Sequence, residues 1–238
     1  MRVAALYDIH GHLPALEAVL AEVDATGVDM ILVGGDFATG PMGAETTDLL
    51  RSRSAQARFI RGNAERELWA PGPVREGGPP PESLEWARSQ LGEERIRFLR
   101  SLPETVTVDV RGLGAVLFCH ATPWSDEDIV TELTPDDRLR GVLAGIDERV
   151  VVCGHTHVQF DRSLDGVRLV NAGSVGMPYE DAPGAYWALL GPEVELRCTE
   201  FDAEDAAARI AASGYSGEIP TASRREASEY FEQLARER

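Results

Sequence analysis

The stretch Val3-Ala4-Ala5-Leu6-Tyr7-Asp8-Ile9-His10-Gly11-His12 decides how the rest of the chain is read. Its apolar run reads as a buried strand, and it ends abruptly in an acid, an imidazole, a glycine and a second imidazole. Side chains alternate along an extended strand, so Asp8 and His10 are expected on one face, close enough to grip one metal ion, with Ile9 turned into the core. Gly11 frees the backbone to turn sharply. Pro14 suits the first turn of a helix, and Leu16, Val19, Leu20 and Val23 follow at helical spacing. A strand thus delivers polar groups at its carboxyl end, and a helix packs back on the sheet.

The same unit recurs. Met30-Ile31-Leu32-Val33 runs into Gly34-Gly35-Asp36, and Phe59-Ile60 into Arg61-Gly62-Asn63. A hairpin of Val106–Val110 with Ala115–Phe118 leads to Cys119-His120, and Val150–Cys153 runs directly into Gly154-His155-Thr156-His157. Helices are expected over 44–50, with Leu49 and Leu50 inward, over 84–91, 96–102 and, polar-faced, 126–145. Further strands are expected over 167–170, 186–190 and 194–198, and Asp202 can cap a helix running to Ser213. The last stretch, 223–238, puts Ala227, Tyr230, Phe231 and Leu234 on one face, which must dock on the domain or on a partner chain. The Pro/Gly-rich tract 71–81 reads as an exposed loop, either a lid or a plain connection. Strand, glycine-rich turn and helix in repetition argue for an α/β layered fold with its site at the carboxyl ends of the strands.

The chain has 238 residues, enough for a full core, and its 43% hydrophobic and 7% aromatic content is ordinary for a globular protein. A formal net charge of −17 argues against a broad nucleic-acid or anionic-membrane surface, while leaving room for a small phosphate ester at a metal. No apolar run approaches the roughly 20 residues that cross a bilayer. Asp8 and His10 stand where a signal peptide would have its apolar centre, so a cytoplasmic location is expected. Cys119, Cys153 and Cys198 are odd in number and scattered, which suits reduced thiols rather than a disulfide framework. Neither a nucleophile elbow nor a phosphate-binding lysine loop is present, which disfavours a serine hydrolase or a kinase.

All five histidines fall in polar turns after apolar strands. The blocks Asp8-x-His10, Gly35-Asp36, Gly62-Asn63, His120 and Gly154-His155-x-His157, in that order, resemble the signature of the calcineurin-like metallophosphoesterase superfamily. With Leu13-Pro-Ala-Leu-Glu after the first block and Asn171-Ala-Gly-Ser-Val-Gly after the last, the chain looks most like the YfcE-like phosphodiesterase and diadenosine-tetraphosphatase-related branch. The resemblance spans Met1 to about Ser213. It implies a four-layer αββα sandwich of two mixed sheets flanked by helices, a phosphoesterase domain over 1–214 and a helical extension over 215–238.

It also implies a dinuclear site in which Asp36 bridges two divalent ions. Asp8, His10 and His157 would complete the first, and Asn63, His120 and His155 the second. Imidazoles, carboxylates and one amide carbonyl without thiolate suit Mn²⁺, placed first here, and equally Fe, Zn²⁺, Ni²⁺ or Co²⁺. Two such ions hold a hydroxide made at neutral pH beside phosphoryl oxygens, which implies in-line attack on a phosphodiester or nucleotide-type substrate. The rival readings are a metal-binding interaction scaffold like the retromer subunit of this branch, and a nucleoside polyphosphate hydrolase.

Many relatives carry a histidine where this chain has Ala64, and alanine cannot donate a proton. His12 either substitutes as proton donor or phosphate ligand, or is an outer histidine. Arg61 and Arg66 either reach substrate oxygens or are solvated. Trp124 and Tyr179 either wall the site against a base or aryl group, or pack in the core. The C-terminal helix is a candidate surface for a homo-oligomer.

Overall fold

The computed structural model describes residues 1–72, 81–217 and 219–237. Most of the Pro/Gly-rich tract, residues 73–80, lies outside the described residues, and with it the lid expectation. Two five-stranded mixed sheets stack face to face. The first is ordered β10-β9-β1-β2-β3, from β1 (Val3–Leu6), β2 (Met30–Val33), β3 (Ala57–Phe59), β9 (Ala185–Leu190) and β10 (Val194–Thr199). The second is ordered β4-β5-β6-β8-β7, from β4 (Thr105–Val110), β5 (Gly114–Cys119), β6 (Val150–Cys153), β7 (Phe160–Leu164) and β8 (Val167–Asn171). β1, β2 and β3 run parallel, as do β5, β6 and β8. Their carboxyl ends therefore gather the polar turns that follow them.

The layers follow from the side chains. Every residue of β1, β2 and β6 is buried, the mark of strands covered on both faces. Val3, Ala5 and Leu32 of the first sheet, with Tyr7 just past β1, meet Val116, Phe118, Val152 and Val170 of the second in the central layer. The outer face of the first sheet packs Ala4, Leu6, Ile31 and Val33 against helices α1 (Leu13–Thr26), α2 (Gly43–Ser52) and α4 (Pro81–Arg100). The second sheet is covered by α5 (Asp136–Val142) through Leu117, Val151, Leu139 and Leu143. In α1 the buried set includes Leu16, Val19, Leu20 and Val23, as their spacing predicts, and Gly27 ends the helix at φ 64°. No helix among the described residues is long and apolar enough to cross a membrane.

Three elements depart from the sequence reading. The helix expected over 126–145 is confined to Asp136–Val142, begun by Pro135. Upstream, the backbone N–H of Thr131 donates to the Thr134 hydroxyl and that of Leu133 to the Thr131 hydroxyl, local bonds that compete with a helix. β7 was not foreseen, because Asp161, Arg162 and Ser163 give it an edge-strand face. The two helical segments at 84–91 and 96–102 join into α4, broken by Gly92 at φ 66° and ψ 170°.

The remaining helices are α3 (Asn63–Glu67), α6 (Ala203–Ser213) and α7 (Arg224–Glu237). Asp202 caps α6, accepting from the N–H groups of Glu204 and Asp205. α7 docks on its own chain through most of the expected face, with Ala227 buried and Phe231 and Leu234 partly buried, but Tyr230 is 47% exposed. Its anchor is the buried Glu232, which accepts from the hydroxyls of Thr131 at 2.7 Å and Thr134 at 2.6 Å and pairs with Arg138 at 2.7 Å. Replacing Glu232 by Ala strands these three donors and is expected to cost about 2–3 kcal/mol, discounted because Arg138 keeps partial access to water. Denaturant titration with limited proteolysis at α7 checks this.

Candidate metal centre

Six residues from four turns converge beyond the strand ends. Asp8, His10 and His157 form one group, and Asp36, His120 and His155 another; within each group the ligating atoms lie within 4.8 Å of one another. The groups are contiguous. His10 Nε2 lies 4.0 Å from both Asp8 Oδ1 and Asp36 Oδ2, and His120 Nε2 lies 3.4 Å from Asp36 Oδ2 and 3.9 Å from Asp8 Oδ1. His157 Nε2 stands 3.4 Å from Asp8 Oδ1 and 3.2 Å from His10 Nε2. Asn63 joins the second group, its Oδ1 3.1 Å from His120 Nε2.

The route by which Asp8 and His10 come together differs from the extended strand expected. β1 ends at Leu6, and both residues lie in the left-handed region, at φ 52° and 47°. Asp36, His155 and His157 do the same, at 52°, 68° and 59°. Among the described residues, five of the six non-glycine residues with positive φ are thus members of this cluster, each carrying a strain of about 1–2 kcal/mol that the surrounding fold must hold. Glycines supply close approach: a Cβ at Gly62 would collide with the Asp36 carboxylate, and one at Gly154 with that of Asp8.

Outer partners set the tautomers. The Nδ1 of His120 faces the Gly34 carbonyl at 3.0 Å, and that of His157 faces the Met177 carbonyl at 2.7 Å. A carbonyl only accepts, so each Nδ1 carries a proton that it donates there, and each ring turns its Nε2 inward, the nitrogen that would ligate a metal once it carries no proton. The Asn171 amide, from the block after the last histidines, donates to the Gly154 carbonyl at 2.7 Å and the Thr156 hydroxyl at 3.0 Å. Ser174 donates to the Asp8 carbonyl at 2.7 Å, tying the loop after β8 to the end of β1.

A residue the sequence reading missed holds the other side. Glu65 is fully buried, and its two oxygens accept four backbone N–H groups: Asp36 at 2.7 Å, Phe37 at 2.9 Å, Ala38 at 3.0 Å and Gly62 at 2.9 Å. It splices the turn after β2 to the turn after β3. Burial, with Asp36 beside it, pushes its carboxyl up to about 7 against the pull of these N–H groups. Its capping position, three residues after Gly62 at the start of α3, was the available signal.

The donor set fits divalent ions. Asp8 Oδ1 is buried and has no hydrogen-bond partner. Asn63 Oδ1 faces only acceptors, and rotating the amide would instead aim its N–H₂ at His120, His155 and Asp36. A cation would satisfy the amide oxygen as it stands, together with Asp8 and the facing imidazoles. Burial lowers His10 and His155 to about 4, keeping them neutral as ligands must be. His120 goes the other way: burial opposes a charge, but Asp36 and then Asp8 override it and raise the ring to about 10 in the metal-free protein.

A histidine raised above its unfolded value stabilises fully below about pH 6.5 and loses that contribution as pH rises toward about 10. Metal-free protein is therefore expected to melt at lower temperature at pH 9 than at pH 7, with saturating divalent metal removing the drop. A flat or rising melting profile in the metal-free protein would argue against a proton shared between His120 and Asp36.

The other candidate side chains are placed unequally. His12 is the N-cap of α1: its Nδ1 accepts the Ala15 N–H at 3.2 Å and its ring meets Phe201 edge-on, so this geometry gives it a structural task. Arg61 donates to the Leu102 carbonyl and pairs with Glu104, and Arg66 pairs with Asp126 at 2.7 Å and Glu127 at 2.6 Å. Neither is simply solvated. Trp124 is neither core nor in contact with the cluster, being 61% exposed with its indole N–H donated to Val142. Tyr179 does reach the cluster, stacked on His157 with ring centroids 5.2 Å apart.

Residues 1–191 match the calcineurin-like phosphoesterase superfamily domain, and the chain belongs to that superfamily. It is 26% identical to the uncharacterized protein MJ0912 of Methanocaldococcus jannaschii, across 87% of this chain and 91% of that one. Its fold is similar to that of the hypothetical protein PH1004 from Pyrococcus horikoshii, with a TM-score of 0.76 at 20% identity and 97% of each chain covered. It is also similar to that of a metallophosphoesterase from Sphaerobacter thermophilus, with a TM-score of 0.72 at 24% identity and 98% of each chain covered. Membership implies divalent metal ions, and the two groups above are the residues that could hold them.

Proposed function

We propose that the protein is a phosphodiesterase with a dinuclear centre. Asp36 is shared between two ions; Asp8, His10 and His157 complete one, and Asn63, His120 and His155 the other. The observation that carries this reading is the pair of contiguous carboxylate–imidazole groups, with Asp8 Oδ1 buried and unpartnered between them. When bound, two such ions supply positive charge for phosphoryl oxygens and water acidified toward neutral pH. Mn²⁺ suits these nitrogen and oxygen donors, as do Fe, Zn²⁺, Ni²⁺ and Co²⁺.

The chain's own residues do the rest. The Gly34 and Met177 carbonyls keep His120 and His157 in the ligating tautomer. Ala64 contributes only its backbone N–H, donated to Asp36 Oδ1 at 2.8 Å, and no proton to a leaving group. That favours esters whose acidic leaving group departs without being protonated. The Tyr179 phenol, held protonated with its pKa pushed up to about 12 by burial and by Asp8, is a neutral donor beside His157.

Metal-stripped protein reloaded with Mn²⁺ is expected to hydrolyse bis-p-nitrophenyl phosphate faster than p-nitrophenyl phosphate. Turnover without metal, or of the monoester alone, would contradict the proposal. Loaded protein with no turnover of either would move the weight to a binding module.

A further inference from the structure

An aromatic ladder leads away from the candidate centre. His157 stacks on Tyr179, Tyr179 meets Phe231 at 6.2 Å between centroids, and Phe231 meets Tyr230 at 5.8 Å. The last two rungs belong to α7, which lies beyond the 1–191 superfamily match. The ladder is held by two clamps on the helix, one at its start and one beside Phe231. Arg224 bonds Glu132 at 2.7 Å and Glu180 at 3.2 Å, and Glu180 is the neighbour of Tyr179 and accepts the Gln159 N–H at 2.6 Å. Further along, Glu232 is buried against Thr131, Thr134 and Arg138. These clamps fix Phe231 against Tyr179. Yet the ladder is not closed over: Tyr179 and Phe231 are only partly buried and Tyr230 is 47% exposed. The Tyr179 hydroxyl makes no hydrogen bond among the described residues, although it lies beside a cluster rich in donors and acceptors.

We infer that Tyr179 with Phe231 and Tyr230 of α7 forms a substrate subsite that stacks a planar aromatic group, a nucleobase or aryl ring, of an ester whose phosphate sits at the metal centre. The inference rests on the phosphoesterase reading and deepens it. Partly exposed aromatic rings in a row, tilted 45° and 62° to one another beyond Tyr179, give a base edges and faces to pack on beside a site that would hold metal ions, and such stacking is tolerant of base identity. The large net negative charge of the chain disfavours further phosphates, so the matched ligand is a mononucleoside or aryl diester rather than a polyphosphate. In this account α7 serves substrate selection within its own chain.

The test compares two diesters with one leaving group, thymidine 5′-p-nitrophenyl phosphate and methyl p-nitrophenyl phosphate, in wild-type protein, Phe231→Ala and Tyr230→Ala. Wild type is expected to prefer the nucleoside ester in kcat/KM by about tenfold or more, in the range of aromatic–base stacking. Phe231→Ala should lose most of that preference through KM, and the exposed Tyr230→Ala a smaller part of it without threatening the fold. Calorimetric titration of metal-loaded protein with thymidine 5′-monophosphate against methyl phosphate reads the same preference without turnover. Equal kcat/KM for the two esters in wild type, or a preference untouched by both substitutions, overturns the subsite. If neither ester is hydrolysed, the phosphoesterase reading falls separately, and the calorimetric preference and its loss in the two variants still decide the subsite.

Discussion

Asp36→Asn is expected to lose bound metal and turnover together, with kcat falling by more than about 10³-fold. That exceeds the roughly 10- to 100-fold cost of removing an outer partner of a metal site, because the lost charge is shared by both halves of the cluster. Asp36 Oδ2 lies 3.4 Å from His120 and 4.0 Å from His10, whose rings belong to different groups, and Oδ1 already accepts the Ala64 N–H. The amide keeps shape but not charge, and either of its orientations aims N–H₂ at a donor or at a ligating position. Metal content by mass spectrometry, read with turnover, checks this. A variant that kept two ions and full rate would remove Asp36 from the shared position.

Glu65→Gln is expected to be the most damaging single change away from the ligands. The carboxylate accepts two N–H groups on each oxygen; an amide can serve only one pair and turns its own donors against the other. Leaving two buried N–H groups unpaired costs about 2–4 kcal/mol, a large share of the 5–15 kcal/mol typical of a domain. Because Glu65 joins the turn carrying Asp36 to the turn carrying Asn63, metal affinity should weaken by about 10- to 100-fold as well. Urea unfolding and metal titration of Glu65→Gln, each against wild type, test both effects. Loss of stability with unaltered metal affinity would reduce Glu65 to a packing role.

The pattern of strand ends was legible from residue order alone, because the fully buried parallel strands β1, β2 and β6 are short apolar runs that each stop at a glycine or a charged ligand. The convergence of the ligands was less legible. The sequence placed Asp8 and His10 on one strand face, whereas the chain brings them together through left-handed turns that no periodicity encodes. Glu65 escaped notice because its partners are backbone N–H groups, which any residue can offer. The helix expected over 126–145 failed for a local reason: Thr131 and Thr134 bond their own turn, and Pro135 admits a helix only after itself. Arg61 and Trp124 lay next to signature residues in sequence, yet their side chains are tied to Glu104 and Val142. Proximity along the chain ranks candidates; the partner each side chain finds decides among them.

The docking of α7 illustrates the same point in reverse. Its apolar positions read as a face in need of a partner, but the contact that fixes it is Glu232, a charged residue buried among two hydroxyls and a guanidinium. A helical face can thus be set by one satisfied polar network as firmly as by an apolar stripe.

In the proposed centre the two groups would hold two ions with Asp36 between them. Anomalous diffraction at the manganese edge from crystals of reloaded protein tests it most directly. Two peaks are expected about 3.5–4 Å apart, one among Asp8, His10 and His157, the other among Asn63, His120 and His155, with Asp36 reaching both. A single peak, or two peaks elsewhere on the molecule, would contradict it.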